Sequence, residues 1–468
     1  MKIHILFLAL LSTLTLRAEV RPPNVIVILC DDLGYADIGC FGAKGYATPN
    51  LDRMAAEGRR FTNFHVSSAV CSASRSALLT GCYHSRVSIH GALMPHSKTG
   101  LNPSETTIAE MLKAHGYATG MAGKWHLGDR VEWMPMRQGF DEYLGLPYSN
   151  DMWSQPPAVK PDGYPPLAMY EGEKVIIPVV THADQSQLTT RYTERAVAFI
   201  EQHKEQPFFF YLAHNMPHVP LHVSDKFAGK TTRGLFGDVI EEIDWSVGQV
   251  LDALKRNGLD ENTLVVFTSD NGPWLNYGDH AGSAEPLREG KGTSWEGGTR
   301  VPCIMRWPGK IPADTACAEA AMTIDLLPTI AGISGAKLPE AKLDGQNIWP
   351  DIAGDPTPHA PRNYWIYYAQ NELQAVMRGS LKLVLAHTYR TLGDTPRATG
   401  GKPAKYLAAK VEKPELYDLA SDIGEAKDLA DSKPELLAEL LQSAEQARAE
   451  LGDSLTQRKG SGNREPGR

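Results

Sequence analysis

Apolar residues gather in short unbroken runs, Asn24–Cys30, Ala118–Gly123, Phe208–Leu212, Leu264–Ser269 and Val301–Trp307, with helix-punctuated segments between them. An unbroken apolar run of strand length predicts a strand buried on both faces. Strands alternating with helices predict an α/β fold with a large mixed, mostly parallel sheet flanked by helices. Thr48-Pro49 opens a helical segment that Gly58 closes, Ser104–His115 runs into Gly116, and Gly237–Asn257 runs into Gly258. Proline suits a first helical position, and glycine suits the residue past the last.

The pattern changes after Asp344–Gly354 and the proline-rich Asp355–Pro361. Shorter alternating runs at Tyr364–Tyr368, Ala375–Arg378 and Leu381–Leu385 predict a small antiparallel sheet. Thr388–Lys405 reads as a polar loop, Pro434–Leu451 as an amphipathic helix and Arg458–Arg468 as disordered. The expected organisation is a catalytic domain over 19–354, a smaller sheet-plus-helix domain over 355–455 and a disordered tail over 456–468.

At 468 residues the chain exceeds one typical core, and 42% hydrophobic residues suit a well-packed globule. A net charge of −8 and a pI near 6.0 argue against a nucleic-acid partner, so an anionic ligand has to be captured by local cations. Met1–His4, the apolar run Ile5–Leu16 and Ala18 predict a signal peptide over residues 1–18 and export to the periplasm or beyond. That run is too short to span a bilayer and no later one is long enough, so no stable membrane insertion is expected.

The most informative segment is Val70–Gly81, which puts Cys71 at a predicted helix N-terminus with Arg75 one turn on. A helix dipole favours a thiolate there. The competing reading is a half-cystine, for instance paired with Cys82; if Cys71 is consumed otherwise, an odd number of cysteines remains and at least one stays free. Two strand ends carry acids: Asn24–Cys30 runs into Asp31-Asp32, and Leu264–Ser269 into Asp270-Asn271. On parallel strands these groups meet at one sheet edge, and an oxygen-only donor set suits a hard divalent cation, Ca²⁺ before Mg²⁺. Either pair alone reads equally well as a helix cap or a loop start. Lys124 and His126 follow a third strand, two apart, so an extended backbone points them the same way. His214, His218 and His222 follow a fourth.

Cys71-Ser72-Ala73-Ser74-Arg75 with Thr80-Gly81 resembles the signature of type I sulfatases, members of the alkaline-phosphatase-like superfamily, whose cysteine is oxidised to formylglycine (3-oxoalanine). The resemblance runs from about Pro23 to Leu429 and includes Gly123-Lys124-Trp125-His126, Pro217-His218-Val219-Pro220 and Gly290-Lys291-Gly292. Ala73 replaces the usual proline, which leaves open which formylglycine maturation enzyme acts as partner. The resemblance implies one Ca²⁺ held by Asp31, Asp32, Asp270, Asn271 and the residue derived from Cys71. It makes Lys124 and Lys291 sulfate-binding lysines, with Arg75 a further cation on the charge. His126 serves the covalent intermediate, His218 protonates the leaving group, and Ser149 hydrogen-bonds the sulfate.

A sulfate ester demands neutralised oxygens, a nucleophile and a protonated leaving alcohol. The hydrated formylglycine of this family attacks sulfur with one hydroxyl and expels sulfate with the other, a return path that a plain serine lacks. The expected substrate is an aryl sulfate or, more in keeping with an exported enzyme, a sulfated carbohydrate. The alternatives are a phosphate or phosphonate ester hydrolase of the same superfamily, and a non-catalytic carbohydrate-binding relative. The loops Asp151–Pro178 and Ala386–Lys405, with Trp153, Trp274 and Tyr277, are the candidates for reading the sugar.

Overall fold

The computed structural model describes residues 21–155, 163–357 and 360–468. The central sheet contains β1 Asn24–Cys30, β2 Arg59–Phe61, β3 Ala118–Lys124, β4 Glu142–Leu146, β5 Met169–Glu171, β6 Lys174–Ile177, β7 Phe208–Ala213, β8 Thr263–Ser269, β9 Cys303–Arg306 and β10 Thr315–Cys317. Their order in space is β10-β2-β9-β8-β1-β7-β3-β4-β5-β6. The centre is parallel, since β1 pairs with β7 and β8, and β3 pairs with β7 and β4. β9 runs antiparallel to β8 and β2, and β5 and β6 make an antiparallel edge.

The alternation of side chains along β1 explains its unbroken apolar run. Ile26, Ile28 and Cys30 enter one core, while Val25, Val27 and Leu29 enter the other, all fully buried. The first core is closed by α1 Pro49–Ala56, α4 Leu188–Gln202 and α5 Leu235–Arg256. The second is closed by α2 Cys71–Thr80, α3 Ile108–Ala114 and α6 Leu326–Ser334. Two helix starts and one cap differ from expectation, the first being α5, which begins at Leu235 and not at Gly237. α3 begins at Ile108 and not at Ser104, because Thr107 and Glu110 form a reciprocal capping box. Thr48 does not cap α1 with its side chain; its Oγ1 accepts from the Gly39 N–H instead.

A second, smaller antiparallel sheet is built from β11 Asn363–Tyr368, β12 Glu372–Arg378 and β13 Leu381–Val384. A ribbon of β14 His387–Thr391 and β15 Leu407–Val411 follows, and then β16 Glu415–Asp418, which joins that sheet in the order β11-β12-β13-β16. Helix α7 Pro434–Leu451 buries Leu440, Ala444, Ala447 and Leu451 in the core of this sheet, where each fully buried leucine is worth about 1.5–3 kcal/mol.

Several expectations are corrected here. The polar segment 388–405 is not wholly loop, because its start lies in β14. The stretch Asp151–Pro178 contains β5 and β6, which extend the sheet. Residues 456–468 are not a disordered tail. Gly100 and Gly467 exchange backbone hydrogen bonds, Arg86 Nη1 donates to the Gly462 carbonyl, and Arg464 pairs with Glu105 at 2.8 Å. Those partners tie down a terminus that would otherwise be expected to lack order. All six cysteines are free, so Cys71 is not bridged to Cys82. The signal segment 1–18 lies outside the described residues. Among the described residues no helix is long and apolar enough to cross a membrane.

Candidate active site

The C-terminal ends of β1, β3, β7 and β8 meet on one edge of the sheet, where open α/β folds place ligands. Cys30 and Ser269 are register partners on parallel strands, which brings Asp31-Asp32 beside Asp270-Asn271. The Asp32 N–H donates to Asp270 Oδ1 at 3.2 Å, and Asn271 Nδ2 donates to Asp32 Oδ1 at 2.7 Å. Gly123 precedes Lys124 at φ 121°, and a Cβ there would lie 1.8 Å from the Ala213 carbonyl oxygen. Only glycine lets β3 and β7 approach this closely beside the site.

Helix α2 delivers Cys71 from the side of the second core. Val70 enters in extended conformation, Gly81 ends the helix at φ 65°, and every residue between is buried. Lys291 reaches across to it: Nζ lies 3.4 Å from Cys71 Sγ, 2.6 Å from Asp32 Oδ1 and 2.9 Å from Asp32 Oδ2. Lys124 Nζ donates to Asp31 Oδ2 at 2.5 Å and to Ser149 Oγ at 3.2 Å. His126 Nε2 lies 2.9 Å from the Leu93 carbonyl, and His218 Nδ1 lies 2.6 Å from the Val219 carbonyl, with its Nε2 3.6 Å from Asp32 Oδ2.

Three readings from the sequence change. The thiol of Cys71 is not a poised thiolate: burial pushes it up to about 12, against the opposing pull of Lys124 and Lys291. Arg75 faces the acids. Its Nε and Nη2 hold Asp270 Oδ2 at 2.9 and 2.8 Å, and its Nη1 donates to the Lys124 carbonyl at 3.0 Å. His126 does not continue an extended strand, since its φ is 61°, and Asp32 has a φ of 65°. Left-handed backbone at two non-glycine residues marks strain held in place by the surrounding packing. Nothing in residue type announced it.

The acids respond to one another. Against the burial that would raise it, Lys124 and then His218 hold Asp31 well below the usual carboxylate range. Burial and the Asp31 charge push Asp270 up to about 7. Asp31, Asp32, Cys71 and His218 offer ligand atoms within 4.8 Å of one another, a buried group able to hold a metal ion. Asp31 Oδ1 and Asn271 Oδ1 are buried with no hydrogen-bond partner. Asp31 Oδ1 has only a 3.6 Å ion pair with Arg75 Nη2, and two buried oxygens without hydrogen bonds in a carboxylate-rich site fit a hard cation.

A cavity of about 230 Å³ opens onto Cys71, His126, Ser149, His218 and Lys291. Its remaining wall includes Gly91, Trp274, Tyr368 and Arg390, of which the sequence singled out only Trp274. Tyr368 and Arg390 come from the small sheet and its ribbon, far away in sequence, and no local motif marks them. Of the other aromatic candidates, Trp153 is buried against His182 and His222, whereas Tyr277 packs edge-on to Trp274 at 5.0 Å. His214 is buried beside Ser246, away from this wall.

Residues 23–336 match the Sulfatase family profile. The chain is 40% identical to arylsulfatase A of Homo sapiens over 450 residues, covering 91% of this chain and 87% of that protein. It is 38% identical to N-acetylgalactosamine-6-sulfatase of Rattus norvegicus, covering 81% and 74%. Among solved structures, Ps i-CgsB in complex with k-i-k-neocarrahexaose superposes with a TM-score of 0.76 at 29% identity, over 91% of this chain and 92% of that one. The family match spans well over half of the chain, which therefore belongs to the sulfatase family of the alkaline-phosphatase-like superfamily and is a sulfuric ester hydrolase.

Proposed function

We propose that the protein removes sulfate from a sulfated carbohydrate by S–O cleavage, using a formylglycine made from Cys71 and one Ca²⁺ held by Asp31, Asp32, Asp270 and Asn271. The observation that carries this reading is the single cavity on which Cys71, His126, Ser149, His218 and Lys291 converge. Carbohydrate is favoured because two of the similar proteins are named for an N-acetylgalactosamine sulfate and for a bound neocarrahexaose. The reading includes export by the N-terminal segment, a maturation enzyme that accepts Ala73, and a catalytic unit over 19–354 completed by a smaller unit over 355–455.

The modified residue would supply a geminal diol as nucleophile, and the cation would supply positive charge beside the sulfate oxygens. The rest is the work of the chain's own side chains. Lys291, within reach of both Cys71 and Asp32, lies beside whatever is bound on residue 71, and Lys124 with Ser149 provides a second pair of donors. His126 has a readable tautomer. Nε2 faces a carbonyl and must donate to it, and burial together with Lys124 pushes the ring well below its ordinary pKa. A neutral ring protonated at Nε2 leaves Nδ1, which is buried without a partner, as a lone pair able to accept a proton. His218 donates Nδ1–H to its own loop, which directs Nε2 toward Asp32 and the cavity as the group that gives a proton to the leaving oxygen.

The test is inorganic sulfate release from defined sulfated saccharides beside matched phosphate and phosphonate monoesters. Sulfate release in clear excess is expected. Faster turnover of a phosphonate monoester would overturn the assignment in favour of the related hydrolase class.

A further inference from the structure

Arg390 on β14 reaches into the active-site region from the opposite end of the sequence. Its Nε donates to the Lys291 carbonyl at 3.1 Å and its Nη2 at 2.5 Å. The guanidinium lies flat on Gly292, where a Cβ would come within 2.1 Å of Nη2, and over the Tyr406 ring at 4.6 Å from its centroid. It is therefore held between backbone and aromatic ring. Two of its five donor hydrogens are used on the Lys291 carbonyl, and it forms no ion pair with any described residue.

This cation stands where two cavities meet. The catalytic cavity of about 230 Å³ is smaller than the roughly 300–1,000 Å³ pockets that enclose whole drug-sized ligands, so an oligosaccharide bound there extends beyond it. Beside it lies a second cavity of about 370 Å³, lined by Gly292, Thr388, Tyr389, Tyr406 and Leu407. Tyr368 and Arg390 belong to both walls. A substrate continuing out of the catalytic cavity thus passes a rigid guanidinium with free donors and then an aromatic-lined hollow.

We propose that Arg390 is a specificity-determining residue that binds an anionic substituent, a carboxylate or a second sulfate, on the sugar next to the one bearing the scissile ester. The second cavity is then the subsite for that neighbouring sugar. Bidentate recognition of planar or tetrahedral oxyanions is what a guanidinium with free donors does best, and the surrounding rings supply the stacking faces that sugars use. The inference rests on the sulfate-ester reading of the site and narrows it from any sulfated carbohydrate to an oligosaccharide with two anionic groups.

The experiment compares kcat/KM of the full-length mature enzyme on three disaccharides with the same scissile sulfate: one with a neutral neighbour, one with a uronate neighbour and one with a second sulfate on the neighbour. Nitrophenyl sulfate serves as the fourth substrate. The wild type is expected to favour one or both charged disaccharides by about tenfold or more over the neutral one, and the two charged arms distinguish carboxylate from sulfate. Arg390→Gln, which can still donate to the Lys291 carbonyl, is expected to abolish that preference while losing much less on the neutral disaccharide. Arg390→Lys, which keeps the charge, is expected to retain part of it. Equal losses on all four substrates in Arg390→Gln would overturn the proposal and leave Arg390 as a support for Lys291. A wild type with no preference would overturn it as well. Failure of the wild type to release sulfate from any of the four would instead overturn the functional reading on which this inference rests.

Discussion

Lys291 places its ammonium 3.4 Å from the Sγ of Cys71, although 220 positions separate the two residues. Lys291 is set by a glycine-flanked loop after β8 and Cys71 by the start of α2, so the contact exists only when sheet and helix are docked. Lys291→Ala removes a preorganised cation from the atom at which charge develops. It is expected to lower kcat on an aryl sulfate by about 10²–10³ and, because it leaves the buried Asp32 carboxylate without this partner, to lower the melting temperature as well. Steady-state kinetics beside a thermal melt checks this, and a loss below about fivefold would remove Lys291 from the charge-stabilising set.

The acids proposed to hold the cation give a second prediction. Asp31, Asp32 and Asp270 lie together, and two buried oxygens, Asp31 Oδ1 and Asn271 Oδ1, have no hydrogen-bond partner. Chelation is expected to lower both activity and melting temperature, and Ca²⁺ to restore both. Elemental analysis showing stoichiometric zinc and no response to calcium would contradict the assignment.

The two histidines separate by leaving group. A sugar alkoxide needs protonation as it departs, whereas a nitrophenolate does not. His218→Ala is therefore expected to cost of order 10²–10⁴ on a sugar sulfate and far less on nitrophenyl sulfate. His126→Ala is expected to slow both equally and let a sulfated adduct accumulate on residue 71, visible by intact mass. An adduct in the His218 variant instead would exchange the two roles.

Buried histidines give a prediction for acid stability. Burial pushes His214 down to about 3, and burial followed by His90 pushes His84 down to about 3. In the unfolded chain each takes a proton near pH 6.5. Between these values the unfolded state binds protons that the folded state refuses. Their contribution to stability is therefore complete above about pH 6.5 and falls as pH drops toward 3, by up to about 1.4 kcal/mol per pH unit for each group. Melting curves over about pH 5 to 8 should show a smaller acid loss in His214→Gln than in the parent. Parallel curves would exclude His214 as a source of the acid sensitivity.

What was legible in the chain was what periodicity and local chemistry encode. β1 begins and ends where its apolar run does, and the four strand ends carry Asp31, Lys124, His218 and Asp270 to one edge because parallel strands share a direction. Tertiary contacts were not legible. Arg75 reads from the sequence as a further cation for the sulfate, and only the fold shows that it holds Asp270, just past the end of β8, and the Lys124 carbonyl at the end of β3. The left-handed backbone of Asp32 and His126 has no signature in residue type. The tail read as disordered as a chain terminus, whereas Arg464 and Gly467 are held by polar contacts with Glu105 and Gly100. The wall formed by Tyr368 and Arg390 required the small sheet to dock against the large one.

The most direct test of the account is the chemical state of residue 71 in active enzyme. Peptide mass spectrometry of the segment containing Cys71, with and without a carbonyl-reactive hydrazide, reads it out. The account predicts an aldehyde-bearing residue 71 whose abundance tracks specific activity across preparations, and no turnover of aryl sulfate by a folded Cys71→Ala protein. A fully active preparation in which residue 71 is an unmodified cysteine would contradict it.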